Sequence, residues 1–502
     1  MARGPQPARE APPTDARPFQ YPWRWLAALT AVFVLVHLVY YALGVRFNRG
    51  TLVEVMHFLD PDLLQHRLLE SLWYLHIQPP LMNLATGLIL KVTPEGVWLF
   101  QALFLVFGLT LYLCVFVLQL RFGVPRWLAA AFSTLFMASP AFILWEHFLL
   151  YTFPCAALLA LAAVLLFHVL ERTPRAATAG FFIALFLLCG TRSMFHLGYY
   201  VLVAGVVLAA VRRYRRRVLV AALIPGLVLF GFYFKNLALF GEFTTCTFVE
   251  KNLWIMTVGN MNGAEKVRLV EAGKLSEVSL VNRWASLDAY PPAYRGVPEP
   301  FEDVPALSRT HKSTREGVVN YNHYGNIALC NVYGRDARYV LRHYPSAYLL
   351  ACSMAAWRYF QPSSALPVAP ENQRPIRPVI ALYQYAACGR LPFALDRYPR
   401  FIQRTGTPPY VFLLFGLPAL WLFGVGRAVR PRARTGWTRS QRMVVLFMCF
   451  NVLMVFALGC ALDFLETARY RFMTDAFFVV LLGIGAGTLA GKGAGGQKAP
   501  TE

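Results

Sequence analysis

Long apolar runs alternate with short polar breaks along this chain. Residues 25–44 and 218–240 are two such runs, and each reaches the roughly 17 to 25 residues that a membrane-spanning helix needs. The breaks are basic. Arg3, Arg9, Arg17 and Arg24 precede the first run, and Arg121 with Arg126 and Arg172 with Arg175 flank the next breaks. Five arginines lie between Arg212 and Arg217, six between Arg427 and Arg442, and Lys492 and Lys498 follow the last run. Such clusters belong on the cytoplasmic side.

Alternation then sets the topology. The chain leaves the cytoplasm near 25–43 and must return before Arg121. The run 79–93 is short and opens with Pro79-Pro80, so it reads as interfacial or re-entrant. The run 97–120 makes the crossing. Spans near 127–145, 151–170, 176–191, 197–211, 218–240, 409–426, 443–462 and 475–490 complete about ten. The expected fold is an all-α polytopic membrane protein with surface helices in its first external loop and a small external cap. Its parts are a cytoplasmic tail (1–24), a membrane module (25–240) with an external loop (44–96), the cap (241–408), C-terminal spans (409–490) and a second tail (491–502). Within the cap, 346–360 is short and aromatic-ended, as an interfacial helix is.

Composition agrees. Of the 502 residues, 57% are hydrophobic and 15% charged, against about 25% charged in soluble proteins. A net charge of +22 would suggest nucleic acid in a soluble protein. Here the arginines sit between membrane runs, which makes lipid headgroups the partner and leaves no role for nucleic acid. No small-residue cleavage site follows the first run, which therefore reads as a retained helix. Cys246, Cys330, Cys352 and Cys388 fall in the cap. They are either disulfide partners or buried small apolar residues.

The first external loop carries the densest chemistry. Asp60-Pro61 is a helix start, with Asp as the cap and Pro in the first turn. Leu64, Leu68, Leu72 and Leu75 then form an apolar stripe, opposite Asp62, His66, Glu70 and Tyr74. That predicts one amphipathic helix lying on the membrane and ending at Pro79-Pro80. Asp60 and Asp62 read equally as a cap and a helix-dipole partner or as catalytic carboxylates. His57, His66, His76 and His147 match no compact metal-ligand spacing. His311, His323, His343 and the run 320–326 suit a sugar or peptide acceptor, or a polar surface loop.

Asp60, after the first span and nineteen residues before the Pro79 of His76-Ile77-Gln78-Pro79-Pro80-Leu81, makes a pattern that resembles the GT-C membrane glycosyltransferases, which include protein O-mannosyltransferases and lipid A aminoarabinose transferases. Ser139-Pro140 followed by Glu146 and His147, Lys235-Asn236 with Phe240-Gly241, and Glu466-Thr467-Ala468-Arg469-Tyr470-Arg471 resemble further elements of that family in order and sidedness. Pro61 separates two acids that are often adjacent in the family, so either could be the base, and a divalent metal ion stays open.

The resemblance implies an inverting transfer of a sugar from a polyprenyl-phosphate donor to a protein, lipid or envelope glycan. The site would face the periplasm or cell exterior from a bacterial inner membrane. A carboxylate, Asp60 or Asp62, would take the acceptor's proton. Arg192, Arg469 and Arg471 would hold the leaving phosphate, because a guanidinium binds two oxygens at once. His76, Gln78, Glu146 and His147 would lie near the substrate. A transporter or flippase of a lipid-linked substrate and a non-catalytic envelope assembly protein are the rival readings. Nearly charge-free spans argue against the first.

Overall fold

A computed structural model describes residues 19–365, 369–391 and 398–494. Most of the first tail and all but 491–494 of the second therefore lie outside the described residues. Helices dominate, and no strand longer than an isolated bridge forms among the described residues. The chain is an all-α multi-pass membrane protein.

Its count of spans is lower than ten. Seven helices are long and apolar enough to cross a membrane: Trp23–Ala42, Val97–Arg121, Thr152–Glu171, Arg215–Phe240, Phe412–Val429, Arg439–Leu462 and Thr467–Ala490. Arg126–Met137 and Pro140–Glu146 make an eighth if counted together, bent by 58° where Ser139-Pro140 restarts the helix. Two expected spans form helices at or below the short end of the spanning range. Arg175–Thr191 has 17 residues and Leu197–Ala210 has 14. At 1.5 Å per residue these reach only about 26 and 21 Å of a hydrocarbon core roughly 30 Å thick. They are consecutive, so removing both leaves the side of every later segment unchanged. Leu81–Val92 is also short of a span.

Thr152–Glu171 is the central helix. Ala156, Ala157, Ala160 and Ala163 are buried along it, and small side chains let neighbouring helices approach closely. Val97–Arg121, Arg175–Thr191 and the last span all pack on it.

The first loop departs from one amphipathic helix. It forms two, Pro61–His66 and Leu68–Trp73, because Arg67 leaves the helical region at φ −127°, ψ 41°. The expected stripe still points inward, with Leu64, Leu68 and Leu75 buried. The following helix, Leu81–Val92, lies directly on this turn. A Cβ at Gly87 would meet Leu68 Cδ1 at 2.3 Å and the Leu64 carbonyl at 3.0 Å, so a larger residue would push Leu68 aside.

The cap has its own core, which includes Trp254, Met256, Tyr333, Ala337 and Tyr359. The expected interfacial helix is Pro345–Tyr359. It fastens the cap across the turn between the last two spans. Tyr348 donates to the Ala461 carbonyl (3.2 Å), Arg358 to that of Phe464 (2.9 Å), and Thr467 to that of Ala355 (2.7 Å). Cys246, Cys330, Cys352 and Cys388 are all free thiols, the first, second and fourth fully buried.

Candidate functional site

A cavity of about 680 Å³ opens where the cap meets the end of the helical bundle. Several distant parts of the chain wall it, Trp145, Phe148 and Leu150 among them. The first loop supplies Glu54, His57 and Gln78. The end of Arg175–Thr191 supplies Arg192. The segment after Phe240 supplies Cys246, Phe248 and Asn252. The cap supplies Trp284 and Tyr321, and the turn into the last span supplies Asp463, Glu466, Arg469 and Tyr470.

Two guanidiniums converge here. Arg192 is 7% exposed and Arg469 5%. Arg192 donates to the Tyr151 hydroxyl and lies 4.4 Å from that ring's centroid and 5.0 Å from that of Tyr470. Arg469 stands over the same two rings, at 5.7 and 5.1 Å. Glu466 pairs with Arg469 at 2.6 Å. Arg192 has no carboxylate partner among the described residues, and the Nε atoms of both arginines lack a hydrogen-bond partner there. Burial lowers the pKa of Arg192, so an anion binding beside it would relieve a desolvated charge.

His57 is half-buried beside them. Its Nε2 meets the Tyr151 hydroxyl at 3.1 Å and its Nδ1 has no partner among the described residues. Burial, then Arg192, Arg469 and Lys312, push its pKa well below the ordinary histidine value. Its ring forms part of the cavity wall. Glu54 is more open, with 60% of its side chain exposed, and its carboxylate meets Arg315 at 2.5 Å.

The cap wall is aromatic. Phe248, Trp284 and Tyr321 surround the Lys251 ammonium, at 4.8, 5.3 and 5.0 Å from its nitrogen. Burial brings that lysine down to about 8. Rings held in this way can stack on a sugar face, while Leu458, Leu462 and Leu465, which also line the cavity, can receive apolar chain.

The sequence-predicted residues divide sharply. Arg192, Arg469 and Gln78 meet at the cavity. Asp60 and Asp62 do not line it. Asp60 is buried and fully engaged: Oδ2 accepts from the Ser313 backbone (2.5 Å) and hydroxyl (2.7 Å), and Oδ1 accepts from Asp62 N and the Thr314 hydroxyl. Burial pushes its pKa up, but these donors outweigh it and hold the carboxyl below its ordinary value. Such a carboxylate is a cap and loop anchor, and a weak base. Asp62 faces solvent, with His66 at 3.1 Å and Arg309 at 3.8 Å.

Arg471 points away from the cavity. It bonds Asp475 (2.9 Å) and the carbonyls of Tyr359 (2.5 Å) and Gln361 (2.7 Å), tying the cap's exit to the last span. His76 joins three segments. Its ring nitrogens meet Thr247 Oγ1 (2.9 Å) and the Asn322 carbonyl (3.0 Å), and burial drives it to about 3. Glu146, expected at the outer face, lies inside the bundle against His37 of the first span. A Cβ on Gly108 would sit 1.6 Å from its Oε1. His147 is buried beside it, with Nδ1 3.0 Å from the Ile143 carbonyl.

Sequence reasoning missed Glu54 as a first-loop carboxylate, and it weighed His57 only as a metal ligand. The one sequence signal for Glu54 was an acid close behind the first span, and Asp60-Pro61 was the more conspicuous pattern. Among the described residues no three His, Cys, Asp or Glu side chains gather to hold a metal ion.

The fold and cavity together define a multi-pass helical membrane protein with a buried cationic pocket under a cap. No protein-family model, curated protein or solved structure matches the chain.

The anchor reading of Asp60 is testable. Asp60→Ala leaves the Ser313 and Asp62 amides without their acceptor and is expected to cost about 2–3 kcal/mol. Asp60→Asn keeps one acceptor oxygen and should lose about half as much. Thermal unfolding in detergent reads both. A catalytic Asp60 would reverse the pattern, with an Asn variant of normal stability and no turnover.

Proposed function

We propose that this protein is an inverting glycosyltransferase that uses a polyprenyl-phosphate-linked sugar, with its site on the non-cytoplasmic face of a bacterial inner membrane. One observation carries the reading. Arg192 and Arg469, from helices far apart in the chain, are buried side by side on a cavity that apolar and aromatic side chains also line. That is the surround a lipid-linked phosphosugar asks for: bidentate donors for the phosphate, rings for the sugar and aliphatic side chains for the first isoprene units.

The step balances as a displacement. An acceptor hydroxyl or amine attacks the anomeric carbon, and the bond from that carbon to the phosphate oxygen breaks. The phosphate leaves with the electron pair, and Arg192 and Arg469 stabilise the developing charge. The acceptor's proton passes to a carboxylate. Of the first-loop acids, Glu54 lines the cavity, so the role first given to Asp60 and Asp62 moves to it. Gln78, which lines the cavity, would orient a sugar hydroxyl through its amide.

Purified protein supplied with polyprenyl-phosphate sugars of several kinds should release polyprenyl phosphate and glycosylate an acceptor in membrane extract. Movement of intact donor across reconstituted vesicles, with no release of polyprenyl phosphate from any donor, would replace this reading with the transporter.

A further inference from the structure

A second concave surface of about 710 Å³ lies between the Arg175–Thr191 and Arg215–Phe240 helices. It is remote from the cavity. Arg175 and Arg192 mark opposite ends of one 17-residue helix, which separates the two by about 25 Å. Arg175, Arg213, Arg216 and Arg217 stand at its mouth, and no acid lines it. Arg217 is partly engaged, donating to the Thr173 carbonyl at 2.5 Å. Arg216 makes no hydrogen bond or ion pair among the described residues, and Arg213 lies over the Tyr214 ring at 5.6 Å.

Below the arginines the surface turns apolar. Ile183 is 49% exposed, Val220 55% and Ile224 67%. Ile224 is eight residues beyond Arg216, about 12 Å deeper along the helix. Pro225 sits in this wall. It has no N–H to give the Ala221 carbonyl, and its ring crowds that turn. The result is an open groove along a membrane span, polar and cationic at one end only.

We propose that this groove is a binding site for one anionic phospholipid, its phosphate held by Arg213, Arg216 and Arg175 and an acyl chain laid along Val220 and Ile224. Charge complementarity selects the headgroup. Four arginines with no opposing acid favour a phosphatidylglycerol- or cardiolipin-type lipid over a zwitterionic one. Depth selects a lipid over a soluble anion, because the apolar wall belongs to a spanning helix. The site is independent of the transferase reading and lies at the other end of the bundle.

Native mass spectrometry of the purified full-length protein, titrated with phosphatidylglycerol or phosphatidylcholine, tests this. The wild type should retain one phosphatidylglycerol in preference to phosphatidylcholine. The double variant Arg213→Gln/Arg216→Gln should bind it about 30-fold more weakly, at about fivefold per arginine. Ala221→Trp fills the groove and leaves every charge in place. It should weaken binding as well, and it decides the matter if the double variant fails to fold. Equal retention of the two lipids, unchanged affinity in Ala221→Trp, or displacement of the lipid by inorganic phosphate at equal concentration would each overturn the proposal.

Discussion

Arg192→Lys is expected to lower transferase turnover about 10²-fold while thermal stability stays within a few degrees. The proposed phosphate grip depends on a planar fork. Lysine keeps the charge but offers one point, so it cannot hold two phosphate oxygens at once. Losing one preorganised donor to a developing anion typically costs about 10²- to 10³-fold. The fold should tolerate the change, because lysine can still donate to the Tyr151 hydroxyl that Arg192 now uses. Arg469→Lys should act in the same direction. Arg471→Lys provides the contrast. It gives up bonds to the Tyr359 and Gln361 carbonyls and to Asp475, so its loss should appear as a lower melting temperature with normal activity in the folded fraction. Normal turnover in both Arg192→Lys and Arg469→Lys would leave the phosphate without its proposed holders.

The second large effect belongs to Glu54. Glu54→Gln should reduce transfer about 10²-fold or more, the scale of general-base removal, and leave binding of polyprenyl phosphate unchanged. This position allows a clean reading, because the side chain is 60% exposed and its one ion pair, with Arg315, is equally open. Exposed pairs of this kind contribute about 0–1 kcal/mol, so a large activity loss cannot come from unfolding. Arg315→Gln is the control: it frees the carboxylate and should keep activity. If Glu54→Gln transfers sugar normally, His57 becomes the next group to test, because it lines the same cavity.

The helical membrane architecture was legible in the chain because its causes are local. Apolar length marks a span and arginine clusters mark the breaks. Asp60-Pro61 was legible as a helix start for the same reason, and Asp60 does cap that helix. The count of spans was less so. The run 197–211 is itself only 15 residues, and the helix that forms, Leu197–Ala210, is shorter than the membrane is thick.

The membership of the site was decided in three dimensions. Arg469 and Arg471 look equivalent in sequence, but two residues on a helix are about 200° apart. One therefore faces the cavity and the other the cap's exit strap. Asp60 and Glu54 share one loop, and the contact of that loop with Ser313 and Thr314, some 250 positions later, occupies the first and leaves the second on the cavity wall. Glu146 reads as a loop acid, yet the space beside Gly108 and the His37 ring draws it into the bundle. Hydrophobic pattern and charge along the chain determine that this protein is a multi-pass helical membrane protein. They carry no information on which distant polar groups share a cavity. Tertiary packing settles that, because a buried charge must find its partners wherever the fold places them.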